Sequence, residues 1–188
     1  MGNSASSAIV FIINSLAQLY LLVLLLRFLL PWLGISFNNP ISQGILRLTS
    51  PLVIPVRRLL PAIGKIDTAT LVVAFGIQYL TIFVITLILG RAPSLLPIAI
   101  TAVVDLVILA LRLFVFAIII RIILSWVGGA AGGYNPAVAI VGAITEPVLR
   151  PFRRFIPPLG GIDISPVFAI ILLSGAAILI SGLKQLPY

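Results

Sequence analysis

The 188-residue chain contains no cysteine and no histidine. Disulfides, thiolate nucleophiles and the commonest metal ligands are therefore excluded. Carboxylates are nearly as scarce, with four Asp and Glu against twelve Lys and Arg, a formal net charge of +8. An acid/base or metal site would have to be made from almost nothing. No nucleophile–base pair, phosphate loop or metal-spaced cluster occurs, so neither an enzyme nor a bound cofactor is expected. Charge of either sign is the larger shortage. Only 9% of residues are charged, against about 25% in soluble domains, too few to cover a surface facing water. The 61% that are hydrophobic must face something else, and lipid is the usual answer. The net positive charge lies beside apolar runs, which points to an anionic membrane surface rather than nucleic acid. Met1 to Ser7 carry no Lys or Arg. The basic start of a cleaved signal is missing there, and the first apolar run is expected to be retained.

Four apolar runs approach the roughly 20 helical residues that cross a bilayer. They extend from about Ala8 to Leu30, Thr68 to Leu89, Ile98 to Val127 and Pro166 to Leu183. β-branched residues are common in them, which in water would favour strands. In lipid every backbone group must be satisfied within a helix or a closed barrel. Barrel strands alternate apolar with polar, and these runs do not, so helices are expected. The segments Asn39 to Asp67 and Asn135 to Asp163 differ in kind. They are rich in Pro, Arg and Gly, with too many prolines for an uninterrupted helix. Apolar residues between their arginines predict segments lying in the interface, apolar side chains down and guanidinium groups among headgroups.

The chain repeats itself. "NNPISQGILRLTSPLVIPVRRLLPAIGKID" from Asn38 aligns without gaps on "YNPAVAIVGAITEPVLRPFRRFIPPLGGID" from Tyr134. Pro40, Thr49, Pro51, Pro55, Arg57, Arg58, Pro61, Gly64, Ile66 and Asp67 all recur at a constant offset of 96. Upstream, Arg27 and Trp32 recur as Arg121 and Trp126 at an offset of 94. The difference falls in the glycine-rich stretch 128–133, where an insertion is cheap. The expected fold is an all-α membrane protein with four transmembrane helices in two tandem parallel repeats, 1–92 and 93–188. Each repeat is a helix, an interfacial Pro/Arg-rich amphipathic elbow, and a helix. Two spans per repeat put both elbows on one side. Arg47, Arg57, Arg58, Lys65, Arg150, Arg153 and Arg154 lie on that side, against Arg91 and Lys184 opposite. The positive-inside rule then makes the elbows cytoplasmic and both termini external.

At "SPLVIPVRRLLPAIGKID" and "EPVLRPFRRFIPPLGGIDISP" the sequence resembles the YggT (YlmG) family of bacterial and plastid membrane proteins. The resemblance covers nearly the whole chain, and the P-x-R-R-x-x-P-x-x-G-x-I-D pattern occurs twice at one spacing. The first copy departs from the second where Ser50 stands for Glu146, Ile54 for Arg150 and Lys65 for Gly161. The resemblance implies a bacterial inner membrane or a plastid membrane. It also implies links to osmotic-stress tolerance, to cell division and shape, and in plastids to cytochrome maturation and membrane organisation.

Candidate residues carry a bland reading and a sharper one. Asp67 and Asp163 precede helices and would cap them, with Ser165 before Pro166 an alternative cap. The sharper reading pairs Arg27 with Asp67 and Arg121 with Asp163, tying each hairpin together. Arg57, Arg58, Arg150, Arg153 and Arg154 would anchor the elbows to phospholipid or dock a membrane-protein partner. Asp105 and Arg112, seven residues apart, share a helix face and are expected to form a structural ion pair, with a permeation path as the alternative. Trp32 and Trp126 read as interfacial belt residues. A four-helix unit of this size leaves much apolar surface, so a homo-oligomer or larger complex is plausible. The leading expectation is a scaffold or assembly factor. The runner-up is a small channel or transporter component, which would have to be lined by Asn14, Gln18, Gln78, Thr81, Asp105, Arg112 and Ser174.

Overall fold

A computed structural model describes residues 2–35, 40–64, 66–127, 135–156 and 163–184. The described residues form six helices: α1 (Gly2–Trp32), α2 (Pro40–Leu59), α3 (Thr68–Ile88), α4 (Leu95–Val127), α5 (Pro136–Phe155) and α6 (Ser165–Ser181). Helices α1, α3 and α4 are long and apolar enough to cross a membrane. Helix α6 is equally apolar but has 17 residues, about 25 Å of helix against a hydrocarbon core of about 30 Å. The chain is thus an all-α protein of membrane type. Lys65, the glycine-rich stretch 128–133 and the repeat positions Pro157, Gly160 and Ile162 lie outside the described residues.

Helices α2 and α5 are the amphipathic ones. Each buries one polar-spotted stripe at helical spacing: Ser42, Ile45, Thr49 and Val53 in α2, and Ile140, Ile144, Thr145 and Leu149 in α5. The elbows correct the expectation of a broken segment, because both helices run unbroken through two prolines. Pro51 and Pro55, and likewise Pro147 and Pro151, are spaced by four and stand on the exposed face. Each proline removes one backbone donor. Spaced this way, the affected carbonyls fall along one outward side, where polar surroundings can satisfy them. Asn135 opens α5 as its N-cap, accepting the Ala137 N–H at 2.9 Å ahead of Pro136 in the first turn.

The repeats pack alike. In the first, α1 packs on α3 and both hold α2; in the second, α4 packs on α6 and both hold α5. Contacts of α4 with α1 and α3, and of α2 with α5, join the two halves. A fully apolar cluster of Leu21, Leu24, Val53, Ala69, Val73 and Ala74 lies where α1, α2 and α3 meet. Ile118, Leu149 and Ala169 fill the corresponding place between α4, α5 and α6. The long helices therefore have an elbow end, where α2 and α5 are docked, and an opposite end.

Candidate functional site

Each elbow is locked to its hairpin by the same parts. In the first repeat Arg27 is 3% exposed, and its Nη1 donates to Thr49 Oγ1 at 2.7 Å and to Ser50 Oγ at 3.2 Å. The threonine hydroxyl accepts this bond and passes its own proton to the Ile45 carbonyl at 2.6 Å. A hydroxyl suits this place because it can accept from arginine and donate to the helix backbone at once. Arg27 Nε stands 3.8 Å from Asp67 Oδ2, and Arg57 Nη2 bonds the same oxygen. Asp67 also caps α3, accepting the Thr70 hydroxyl at 2.7 Å and its N–H at 3.3 Å. A tight turn sets this up. Ile63 and Ile66 exchange backbone hydrogen bonds of 3.1 and 3.0 Å, and Gly64 takes φ +60, a conformation glycine adopts without steric cost. The chain doubles back there and returns Asp67 to Arg57.

In the second repeat Arg121 Nη1 donates to Thr145 Oγ1 at 2.8 Å, and Thr145 in turn donates to the Val141 carbonyl at 2.7 Å. The expected partner Asp163 is replaced by Glu146, which accepts both Nη groups of Arg121 at 3.1 Å and also faces Arg153 at 3.2 Å. Glu146 is one turn of α5 from Arg150 and directly beside Thr145, so it reaches Arg121 first. Asp163 pairs with Arg153 Nε at 2.9 Å and accepts the Ser165 N–H at 3.0 Å. The residue at the α6 N-cap itself is Ile164, so Asp163 acts from one position before it and Ser165 is the first helical residue. Burial alone would raise the Asp163 carboxyl, but the hydrogen bonds from Ser165 and Arg153 outweigh it and hold the group below the usual carboxylate range.

The arginine pairs are divided between two tasks. The first of each, Arg57 and Arg153, turns to an aspartate. The second, Arg58 and Arg154, is exposed, as are Arg47 and Arg150. Among the described residues no carboxylate stands within ion-pair distance of these four. Trp32 and Trp126 are 55% and 81% exposed at the elbow ends of α1 and α4.

A second polar place lies away from the elbows. Asn14 and Gln18 of α1, Gln78 of α3, Asp105 and Arg112 of α4, and Lys184 beyond α6 line one cleft of about 210 Å³. The expected Asp105–Arg112 pair is absent. Asp105 binds Lys184 Nζ at 2.7 Å and accepts Gln78 Nε2 at 2.9 Å. Seven residues are about 10 Å of helix, and Lys184, arriving from α6, is nearer. Of the other polar residues along the spans, Thr81 donates to the Ile77 carbonyl of its own helix at 2.8 Å. Ser174 lines a separate groove between α4 and α6.

Sequence reasoning missed the roles of Thr49, Thr145, Glu146 and Lys184. The threonines left a signal: they match between repeats and interrupt the apolar face of an amphipathic helix. Lys184 left none, because its partner depends on where the short α6 ends.

Comparison with known proteins agrees with the internal repeat. The CCB3/YggT family matches twice, over residues 6–88 and 100–184. An uncharacterized protein of Pseudomonas aeruginosa is 42% identical over 170 residues, covering 89% of this chain and 85% of the relative. The uncharacterized protein YggT of Escherichia coli K12 is 34% identical over 168 residues, 89% of this chain and 86% of its own. The chloroplastic YlmG homolog protein 2 of Arabidopsis thaliana is 35% identical over 65 residues, 34% of this chain and 24% of that one. No solved structure matches.

Proposed function

The chain belongs to the CCB3/YggT family, and from that premise we propose that it is a non-enzymatic scaffold or assembly factor of the bacterial inner membrane. In this reading α6 is a fourth span and the two elbows lie on the cytoplasmic leaflet. The place of α6 supports the first point. Lys184 meets Asp105, ten residues from the Leu95 end of α4, so α6 runs from the elbow end to the opposite end. The arginine distribution supports the second.

The observation that carries the proposal is the repeated division of each arginine pair. One member fixes the amphipathic helix to the bundle, and the other stands outward beside exposed apolar residues such as Leu52, Leu59 and Phe155. Two such helices, in contact with each other, make one rigid basic surface for anionic lipid and for an acidic face of a partner protein. The test is co-flotation of a soluble acidic probe, polyglutamate, with proteoliposomes of neutral lipid. Arg58→Gln with Arg154→Gln is expected to weaken capture about 30-fold, each of the two charges being worth about 1 kcal/mol beside an anionic partner. Unchanged capture overturns the proposal.

A conduit in osmotic or ion homeostasis is the competing reading. Five of its expected lining residues, Asn14, Gln18, Gln78, Asp105 and Arg112, collect in one cleft, and the buried Leu21, Leu24, Val73 and Ala74 fill the bundle between that cleft and α2. Liposome leak of K⁺ above that of empty vesicles, lost in the Asp105→Ala, Arg112→Ala variant, would favour the conduit.

A further inference from the structure

Arg112 is the eighteenth residue of the 33-residue α4 and is exposed. Among the described residues no carboxylate stands within ion-pair distance of it, since Asp105 is taken by Lys184 and Gln78. A charged group at this depth is costly without a counter-charge. Two spaces meet at its side chain. One is the polar cleft, lined by Asp105, Arg112 and Lys184. The other is a groove of about 350 Å³ between α4 and α6, walled mainly by Val115, Phe116, Ile119, Leu173, Ala177 and Ile178. Arginine, polar cleft and apolar groove are thus contiguous, in the order of an anionic head and its chain.

The helix lengths bring a headgroup within reach. Helical side chains lean towards the N-terminus of their helix, which in α4 is the end away from the elbows, so Arg112 snorkels that way. There α6 stops short, after about 25 Å, and a span shorter than the hydrocarbon is met by local thinning of the bilayer. With α6 as a span, such thinning would bring headgroups to Ser181, which itself lines the groove.

The geometry points to a binding site for one anionic phospholipid from the leaflet on the side of the chain termini, its phosphate on Arg112 and one acyl chain along the α4–α6 groove. Guanidinium is suited to phosphate because its fork of donors matches two oxygens. The amides of Asn14 and Gln18, joined at 3.4 Å, offer further polar contacts to the head across the cleft. This site rests on the proposed crossing of α6 but does not depend on the elbow surface.

The full chain, delipidated in mild detergent, is titrated with phosphatidylglycerol, with phosphatidylcholine and with inorganic phosphate, and bound molecules are counted by native mass spectrometry. One phosphatidylglycerol is expected per chain, held about tenfold more tightly than phosphatidylcholine, as one charged hydrogen-bonded contact allows. Arg112→Gln should abolish the preference and Arg112→Lys should keep most of it. Ala177→Phe, which fills the groove and leaves the charge, should weaken both lipids. Arg58→Gln with Arg154→Gln should leave this lipid in place, which separates the site from the elbow reading. The inference is overturned if Arg112→Gln keeps the preference. It is also overturned if inorganic phosphate displaces the lipid at equal concentration, or if the groove is occupied by a second copy of the chain and no lipid is retained.

Discussion

Arg27 and Arg121 hold matching places but are neutralised differently, and their energetics should differ accordingly. Arg27 and Asp67 have side chains 3% and 5% exposed, whereas Glu146 is 48% exposed. Removing one partner of a buried pair strands a charge and costs about 3–5 kcal/mol; an exposed pair is worth about 1 kcal/mol or less. Asp67→Asn should therefore destabilise the protein by at least about 3 kcal/mol, and Glu146→Gln by less than about 1 kcal/mol, measured by denaturation in mixed micelles. Equal losses would show that the two locks are energetically the same. Asp163 gives a pH signature. Its carboxyl is held below the usual range, so its stabilisation is complete above the ordinary value of about 3.9 and is lost as pH falls through the lowered native value. Asp163→Asn should remove that acid-side loss, read as a flatter thermal-stability profile below about pH 4. The matched arginines and aspartates were legible in the sequence as a set. Arg27 does lie beside Asp67 as its pattern suggested, but Arg121 does not pair with Asp163, because Glu146 in place of Ser50 redirects that contact and leaves the repeat pattern intact.

At the scale of elements, the long apolar helices followed directly from continuous hydrophobicity, and their observed bounds differ from the expected ones mainly at the ends. The elbows did not. A proline count suggests a broken segment, yet α2 and α5 are helical through Pro51, Pro55, Pro147 and Pro151. Spacing decides the matter: prolines four apart burden one face, and here that face is the exposed one. The buried stripe that docks each helix keeps its backbone hydrogen bonds. The prolines still leave α2 less stable locally than its composition allows. Pro51→Ala with Pro55→Ala should restore two backbone bonds and stabilise α2 by up to about 3 kcal/mol per site. Hydrogen–deuterium exchange should then slow across Leu52 to Arg58. Unaltered exchange there would mean that the outward carbonyls are already fully satisfied.

For the molecule as a whole, the tandem repeat was the most informative feature of the sequence, since two matched halves constrain which side each elbow occupies. The asymmetry between them was less visible. Helix α6 has 17 residues where its counterpart α3 has 21, and nothing in the repeat alignment says whether 17 suffice to cross. Short spans are accommodated by bilayer thinning at a modest cost per ångström, so length alone does not decide. The chain has no cysteine, which makes single-cysteine labelling unambiguous. The proposed four-span arrangement would place Leu59→Cys and Phe155→Cys on the cytoplasmic side and Leu183→Cys outside. These sites are 82%, 84% and 63% exposed, respectively, so access to a membrane-impermeant thiol reagent reports sidedness rather than burial. In intact cells only Leu183→Cys should label; after permeabilisation all three should. If α6 failed to cross, Leu183→Cys would stay protected in intact cells alongside Phe155→Cys. The Lys184–Asp105 contact would then have no place in the native arrangement, and the lipid site built around Arg112 would fall with it.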